Sequence, residues 1–99
     1  MFVALWEFDV KPGSVRSFAN VYGPDGDWAN LFRQASGFQR TILLKDANRA
    51  YRYWTCDIWK SRKDYEDFLR TRTTEYEDLD KKCKNFTQAE RRIGIFEEA

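Results

Sequence analysis

The order in which strand-like and helix-like patterns follow one another constrains the fold of this chain most. Four segments have the apolar alternation and β-branched or aromatic content typical of strands: "FVALWEFDV", "FQRTILLK", "YRYWTCDIWK" and "RRIGIFE". Helical spacing of apolar residues separates the first from the second and the third from the fourth. Only the short loop "DANRA" separates the second from the third. The pattern predicts the order strand, helix, strand, strand, helix, strand.

The first helical region is predicted to be split in two. Ser14 is a suitable N-cap for a helix that ends at "GPDG", because Ser accepts hydrogen bonds from free backbone N–H groups. Asp25 or Asp27 can cap a second, short helix, and Gly37 is placed to end it as the residue after the C-cap.

The second helical region also contains two start signals. Ser61 with Asp64 resembles a capping box directly after the third strand, and Thr74 with Glu77 resembles another. We therefore expect this helix to break near Thr73 and to restart.

The element order predicts a ferredoxin-like α+β sandwich, in which helices cover one face of a four-stranded sheet. Residues 1–99 form one domain at this length. Hydrophobic residues make up 42% of the chain and aromatic residues 17%, more than one thin core hides. We expect the excess to line a ligand cavity, to face a second copy of the chain across the bare sheet face, or both. The expected residues of the bare face are Val3, Leu5, Trp54, Cys56, Ile58, Ile93 and Ile95.

Composition narrows the possible functions. Seventeen basic and sixteen acidic residues, without charge runs, give no indication of nucleic-acid or anionic-membrane binding. No apolar run is long enough to span a bilayer, and the first residues have no basic segment typical of a signal peptide. We therefore expect a cytoplasmic protein with Cys56 and Cys83 as reduced thiols.

The absence of histidine excludes histidine bases, a haem-ligating histidine and the usual zinc sites. We expect no metal or other cofactor.

Four stretches resemble the antibiotic biosynthesis monooxygenase domain family: "VKPG", "YGPDGDWANLFRQASGFQRTILLKD", "YRYWTCDIWKSRKDYEDF" and "ERRIGIFE". The most specific part is the aromatic strand that ends in Trp59, followed by a helix with Tyr65 and Phe68. The resemblance implies a dimeric α/β barrel of two ferredoxin-like units, with a pocket between sheet and helices in each.

The resemblance also implies a range of activities. Some members oxidise polycyclic aromatic compounds with O2 and neither metal nor flavin, others degrade haem, and a shared fold does not fix a function. The haem-degrading branch implies a helix histidine and a first-strand asparagine. This chain has no histidine, and Trp6 occupies the position of the asparagine. Haem degradation is therefore not expected.

Strand alternation places Tyr53, Thr55, Asp57 and Trp59 on one face of the third strand, under the helices. Asp57 and Trp59 are the predicted catalytic residues. A phenol or enol stacked on Trp59 loses a proton to Asp57, whose pKa an apolar pocket raises, and the anion then reacts with O2. The predicted substrate-binding residues are Trp6, Phe8, Trp28, Phe32, Arg40, Tyr53, Tyr65, Phe68 and Arg72.

Structural roles remain as alternatives for each of these residues. The aromatic side chains are also typical of plain core, and Trp28 and Phe32 fit core or pocket lid equally. Asp57 is also suited to an ion pair with Arg92 or Arg40, or to the dimer interface, and Arg72 to a snorkelling surface position.

Two other function classes remain beside the leading hypothesis of a cofactor-free monooxygenase acting on an aromatic or quinone-like compound. One is a ligand-binding or regulatory homodimer without catalysis. The other is an isomerase or cyclase that uses Asp57 as its base.

Overall fold

The computed structural model describes all 99 residues and contains four strands and four helices in the predicted order. Short 3₁₀ turns precede the first helix and follow the last. None of the helices is long and apolar enough to cross a membrane. The elements are β1 (Phe2–Val10), α1 (Val15–Tyr22), α2 (Asp27–Phe32), β2 (Phe38–Lys45), β3 (Arg52–Trp59), α3 (Arg62–Thr71), α4 (Thr73–Cys83) and β4 (Thr87–Glu97).

The strands form one sheet in the order β2-β3-β1-β4, and every neighbouring pair is antiparallel. β1 and β2 are separated in the sheet by β3, so the helices between them cross over one face of the sheet. This arrangement confirms the predicted ferredoxin-like α+β fold with split helices.

The start of α3 follows the predicted capping signal. Ser61 Oγ accepts a hydrogen bond from the Asp64 backbone N–H at 3.2 Å and donates one to Asp64 Oδ2 at 2.9 Å. Gly37 packs directly against the Asp64 side chain, so closely that a Cβ atom at this position would overlap it. The glycine is therefore needed for a close approach between the start of β2 and the start of α3.

Gly37 does not have the role predicted for it. α2 ends at Phe32, five residues earlier, so Gly37 does not end that helix. The N-cap of α2 is Gly26, without a side-chain cap, and the predictions of Asp25 or Asp27 as cap are wrong. Asp27 is instead the first helical residue.

The predicted break between α3 and α4 is confirmed, because Arg72 leaves helical geometry at φ −118° and ψ 29°. The second capping box is wrong. α4 already begins at Thr73, so Thr74 and Glu77 lie inside the helix and no side chain caps its start. Thr73 Oγ1 instead donates to the Leu69 carbonyl at 2.9 Å and ties the new helix to the end of the old one.

The core lies between the sheet and the helices and is mainly aromatic. Alternate residues of β1 and β3 point into it, as the period of two predicts, and Trp59 at the end of β3 is fully enclosed. The main core cluster consists of Phe2, Phe8, Val10, Phe18, Tyr22, Trp28, Leu31, Phe32, Tyr53, Trp59, Phe68 and Cys83.

The opposite, helix-free side of the sheet is called the outer face. The pairs Val3–Ile58 and Leu5–Cys56 lie on it, as predicted. Strand register adds residues that were not predicted: Ile42 opposite Cys56, Leu44 opposite Trp54, and Phe96 opposite Val3. The apolar residues of the outer face are Val3, Leu5, Ile42, Leu44, Trp54, Cys56, Ile58 and Phe96.

Ile95 does not lie on the outer face, which corrects its predicted position. Leu5 pairs with Gly94 whereas Trp6 pairs with Arg92, so Ile93 is an extra residue in β4, a β-bulge. The extra residue reverses the side-chain alternation, and Ile95, opposite Ala4, packs against the core.

One end of the outer face carries four charged residues, called here the ionic cluster: Glu7, Asp9, Arg52 and Arg91. Arg91 donates to Glu7 Oε2 at 2.7 Å and to Asp9 Oδ2 at 2.9 Å, and Arg52 donates to Asp9 Oδ1 at 3.2 Å. Trp54 Nε1 donates to Glu7 Oε1 at 3.0 Å, which, with the arginines, lowers the pKa of Glu7. The cluster therefore has matched charge and satisfied polar atoms within one chain.

Candidate functional site

A cavity opens between the helices and the helix-facing side of the sheet. Its empty space is about 410 Å³, part of it open to solvent, but the centre of a water molecule can move through only about 40 Å³ of it. The cavity is therefore narrow in this structure, and a ligand larger than one ring needs wall side chains to move. The lining residues are Trp6, Phe8, Tyr22, Trp28, Phe32, Thr55, Asp57, Tyr76, Asp80 and Glu90.

Asp57 contributes the most buried carboxylate of this cavity, with a fractional exposure of 8%. Thr41, its direct neighbour on β2, donates a 2.8 Å hydrogen bond from Oγ1 to Asp57 Oδ1. The second carboxylate oxygen accepts no hydrogen bond from the protein. Burial raises the pKa of Asp57 to about 6, and the Thr41 hydrogen bond opposes that shift. Asp57 therefore titrates near neutral pH, as a general base does.

The structural alternatives for Asp57 do not hold. No arginine or lysine nitrogen lies within 4.0 Å of its carboxylate, so it has no ion pair with Arg92 or Arg40. Asp57 also faces the helices and not the outer face, which excludes the sheet interface. Arg40, predicted to bind substrate, pairs with Ile58 and is exposed on the outer face, on the wrong side of the sheet.

The cavity walls are aromatic rings in mutual contact. Trp28 lies at their centre: its ring centroid is 4.9 Å from that of Tyr76, 5.8 Å from Phe32 and 6.1 Å from Tyr22. Trp28 is buried and its Nε1 has no hydrogen-bond partner. Trp6 stacks on Phe8 at a centroid distance of 6.5 Å and, unlike Trp28, is only half-buried. Trp6 and Tyr76 are the two aromatic wall side chains that are not fully buried.

Trp59, the predicted stacking residue, does not line the cavity. It is completely buried, and Phe32 lies beside it at a centroid distance of 5.6 Å, with its own ring on the cavity wall. Phe38, Tyr65 and Phe68 contact the indole at 5.2 to 5.6 Å. Trp59 thus supports the wall from behind, and a ligand in this cavity touches Phe32 instead.

Four further predicted residues lie outside the cavity lining. Tyr65 and Phe68 of α3 pack on Trp59, as part of the core. Arg72 is at the junction of α3 and α4, where its guanidinium pairs with Glu75 at 3.2 Å. Tyr53 is buried beside the α1 side chains. Of the predicted site residues, the structure brings five together at the cavity: Trp6, Phe8, Trp28, Phe32 and Asp57.

The structure adds Thr55, Tyr22, Tyr76, Asp80 and Glu90 to the lining. The sequence contains a signal for the first three. Thr55 shares the helix-facing side of β3 with Asp57, and the two tyrosines lie in the apolar stripes of α1 and α4. The two acids have no such signal, because their direction depends on how α4 and β4 are set against the sheet.

The polar groups of the cavity differ in their surroundings. Burial raises the pKa of the Tyr76 phenol to about 12, and burial also raises the pKa of Tyr22. Glu90 is exposed at the cavity mouth, but neighbouring protein and the nearby Asp80 raise its pKa. No group of three or more potential ligand side chains is placed to hold a metal ion. The residues present are thus suited to hydrogen bonding and proton transfer.

No protein-family profile matches the chain, and no curated protein sequence does. Similar folds are found among solved structures. SnoaB, a cofactor-independent oxygenase from Streptomyces nogalater solved as a variant, superposes with a TM-score of 0.79 at 18% identity, covering 98% of this chain and 91% of SnoaB.

Two further structures are similar over nearly their full length. A candidate antibiotic biosynthesis monooxygenase from Nitrosomonas europaea has a TM-score of 0.68 at 16% identity and covers 99% of this chain and 98% of its own. A candidate antibiotic biosynthesis monooxygenase from Deinococcus radiodurans has a TM-score of 0.70 at 12% identity, and the match covers 100% of this chain and 93% of that one. This chain therefore has the fold of the antibiotic biosynthesis monooxygenase structures.

Proposed function

We propose that this chain is an oxygenase that acts on a phenolic or enolic aromatic molecule, with Asp57 as general base and no metal or flavin. The observation that carries the proposal is a single buried carboxylate without an ion pair, at the wall of an aromatic cavity, with a pKa of about 6. The structural likeness to SnoaB, a cofactor-independent oxygenase, supports the absence of a cofactor.

The chemistry begins with proton transfer. Asp57 removes the hydroxyl proton of the substrate, and the resulting anion has high electron density on a ring carbon. That carbon passes one electron to O2, and the substrate radical and superoxide combine to a carbon-bound peroxide. The protonated Asp57 returns its proton to the distal peroxide oxygen.

The second half of the reaction forms the product. Asp57, ionised again, removes the remaining C–H proton while hydroxide leaves the peroxide, and the proton and hydroxide become water. One oxygen atom of O2 thus enters the substrate as a quinone carbonyl, and the other leaves as water. The dry aromatic surroundings destabilise the charged carboxylate and raise its pKa, which narrows the gap to the pKa of the substrate hydroxyl in the first step.

The enclosed shape limits the substrate to flat molecules. The narrow cavity admits the edge of one ring against Trp28 and Phe32, and a second ring needs movement of a half-buried wall side chain, Trp6 or Tyr76. Aromatic ligands are favoured because stacked and edge-to-face contacts with such walls add to the burial of apolar area.

Oxygen uptake tests the proposal directly. Purified protein, shown to be free of metal and flavin, is incubated with hydroxylated benzenes and naphthalenes while dissolved O2 is measured. We expect uptake of one O2 per quinone formed, with one ¹⁸O atom from ¹⁸O2 in the product. Asp57→Asn should abolish it, whereas Asp78→Asn, an exposed α4 residue outside the cavity lining, should not. No uptake with any of these phenols would contradict the proposal.

An isomerase or cyclase is the second candidate function. The observation that favours it is the same: Asp57 and its Thr41 hydrogen bond equip the cavity for proton transfer, which needs no O2. Such an enzyme would convert an enolisable substrate under nitrogen as fast as in air. A ligand-binding protein without catalysis would bind the same aromatic compounds and leave them unchanged in both atmospheres.

We also propose that the outer face binds a second copy of the chain and forms a dimeric α/β barrel. Leu44 and Phe96 are 47% and 50% exposed on it, and the ionic cluster beside them is already neutralised within the chain. Four strands of about eight residues present roughly 500 Å² per chain, hence ~1,000 Å² for a pair, the lower bound of specific interfaces. A cytoplasmic location, where Cys56 stays reduced, completes the proposal.

A further inference from the structure

The charged residues that line the cavity are all acidic. Asp57, Asp80 and Glu90 line it, and no lysine or arginine does. None of the three carboxylates has an ion-pair partner within 4.0 Å. Lys84 is the one cation near Glu90 that acts on its titration, and it lies outside the lining. The lining thus presents up to three negative charges and no positive charge to a ligand, although the exposed Arg92, opposite Trp6 in the pairing of β1 with β4, lies on the same side of the sheet.

Some of the carboxylates elsewhere in the molecule form ion pairs. Glu7 and Asp9 bind Arg91, and Asp67 binds both Lys63 and Arg70. The whole chain has a net charge of +1, so the acidity of the cavity does not follow from a general excess of acids. A group of unpaired carboxylates around a partly dry space attracts cations and repels anions.

The walls also suit a cation. Trp28, Tyr76 and Trp6 present aromatic rings to the cavity, and a cationic group within about 6 Å of such a ring is attracted by its π-electrons. At the deep end, Asp57 is more than nine-tenths buried and has one carboxylate oxygen without a hydrogen-bond partner. That oxygen is accessible from the cavity and can accept a hydrogen bond from water or from a donor on the ligand, such as a phenolic hydroxyl.

We propose that the ligand of this cavity is an aromatic molecule with a protonated amine, and that the cavity discriminates against the carboxylate analogue. The inference rests on the proposed function only in taking this cavity as the ligand site. The ring lies against Trp6 and Trp28, its hydroxyl or ring edge points towards Asp57, and its ammonium group lies at the mouth with Asp80 and Glu90.

Three naphthalene probes of the same size test this preference. They carry, at position 2, an aminomethyl group (cationic at pH 7.5), a hydroxymethyl group (neutral) or a carboxylate. Dissociation constants are measured by tryptophan fluorescence and calorimetry at low ionic strength. We expect the ammonium probe to bind at least ~10-fold tighter than the carboxylate probe, with the alcohol between them. Equal affinity for ammonium and carboxylate, or no binding of the ammonium probe, overturns the proposal.

Variants that remove a charge test whether the carboxylates at the cavity mouth cause the preference for the ammonium probe. Asp80→Asn and Glu90→Gln keep the side-chain shapes and should each weaken the ammonium probe ~3-fold or more while changing the alcohol less than ~2-fold. Asp78→Asn lies on the same helix outside the cavity lining and should change neither. Loss of alcohol binding in parallel with ammonium binding would show a structural effect and overturn the charge argument.

The result of the binding experiment does not depend on the result of the O2-uptake experiment. Binding is measured at equilibrium without turnover, so a charge preference can be found in a protein that consumes no O2. Conversely, O2 uptake with neutral phenols and equal binding of all three probes would support the oxygenase and overturn the ammonium preference.

Discussion

Thr41 Oγ1 donates a 2.8 Å hydrogen bond to Asp57 Oδ1 across the pairing of β2 with β3. Thr41 is only 3% exposed, so water does not compete for this bond. The hydroxyl stabilises the ionised carboxylate and opposes the upward shift of the Asp57 pKa that burial causes. Thr41 is a positioning residue, since it acts through Asp57 and does not line the cavity.

The first prediction concerns the pH dependence of Thr41→Val. Removing the donor disfavours the charged carboxylate, so the pKa of Asp57 rises further above about 6. Because a general base acts only when ionised, the acid limb of the rate–pH profile should move to higher pH, with the plateau at alkaline pH largely kept. Thr41→Ser keeps the hydroxyl and should restore the original profile. An unchanged acid limb in Thr41→Val would contradict the coupling.

The second prediction is that Asp57→Asn is more stable than the natural protein above pH 6. The folded-state pKa of Asp57 is raised from 3.8 to about 6, so the folded state binds the proton more tightly than the unfolded state. The stability of the natural protein therefore falls as pH rises from 4 through 6, by ~2–3 kcal/mol in all. The amide of the Asp57→Asn variant does not ionise, so the stability of the variant does not fall over this pH range.

Denaturant titrations at several pH values check this prediction. The two proteins should be about equally stable near pH 4, and the variant should lead by ~2 kcal/mol at pH 7.5. Lys81→Gln, which removes a charge from an exposed residue of α4, serves as the control and should show no such divergence. A less stable Asp57→Asn at pH 7.5 would reveal an ion-pair partner that the structure does not contain.

The third prediction separates Trp59 from Trp28. Trp59→Phe empties part of a fully enclosed site and should cost ~2 kcal/mol, less the gain from removing an Nε1 without a partner. Its affinity for 2-(aminomethyl)naphthalene should stay within ~2-fold, because Phe32 stands between Trp59 and the cavity. Trp28→Phe reduces the wall itself and should weaken the same probe ~5-fold or more. Thermal melts beside fluorescence titrations compare the two; equal loss of affinity would place Trp59 at the ligand.

Local patterns predicted much of this molecule. Side-chain alternation placed Asp57 and Trp59 on one face of β3, because the period of a strand is two wherever no bulge intervenes. The position of Trp59 directly before a helix indicated that this face lies under the helices. The extra residue Ile93 broke that rule in β4, and a bulge has no reliable mark in one sequence. Its effect was to turn Ile95 inward.

Whether a helix-facing side chain meets a cavity or only core was beyond the sequence. Trp59 and Asp57 share one face of β3, yet Phe32 from α2 separates the indole from the cavity and leaves the carboxylate in it. Likewise Asp80 and Glu90 reach the mouth because of how α4 and β4 pack. Such contacts are made between distant parts of the chain, and spacing does not encode them.

The fourth prediction tests the outer face. Phe96→Asp places a charge at a residue that is 50% exposed in the single chain, so each chain should still fold, within ~1 kcal/mol of the natural protein. In the proposed dimer the same charge is buried without a partner, and the dimer should dissociate.

Ile58, although on the same face, is only 8% exposed, so Ile58→Asp should unfold the chain and would not separate dissociation from unfolding. Leu44→Lys, at a 47% exposed position opposite Trp54, provides a second interface variant of opposite charge. Sedimentation velocity at micromolar concentration, with circular dichroism as a control for folding, measures both. We expect a natural dimer and folded monomers for Phe96→Asp and Leu44→Lys; a natural protein that sediments as a monomer, or two variants that stay dimeric, would remove the outer face as the contact between copies.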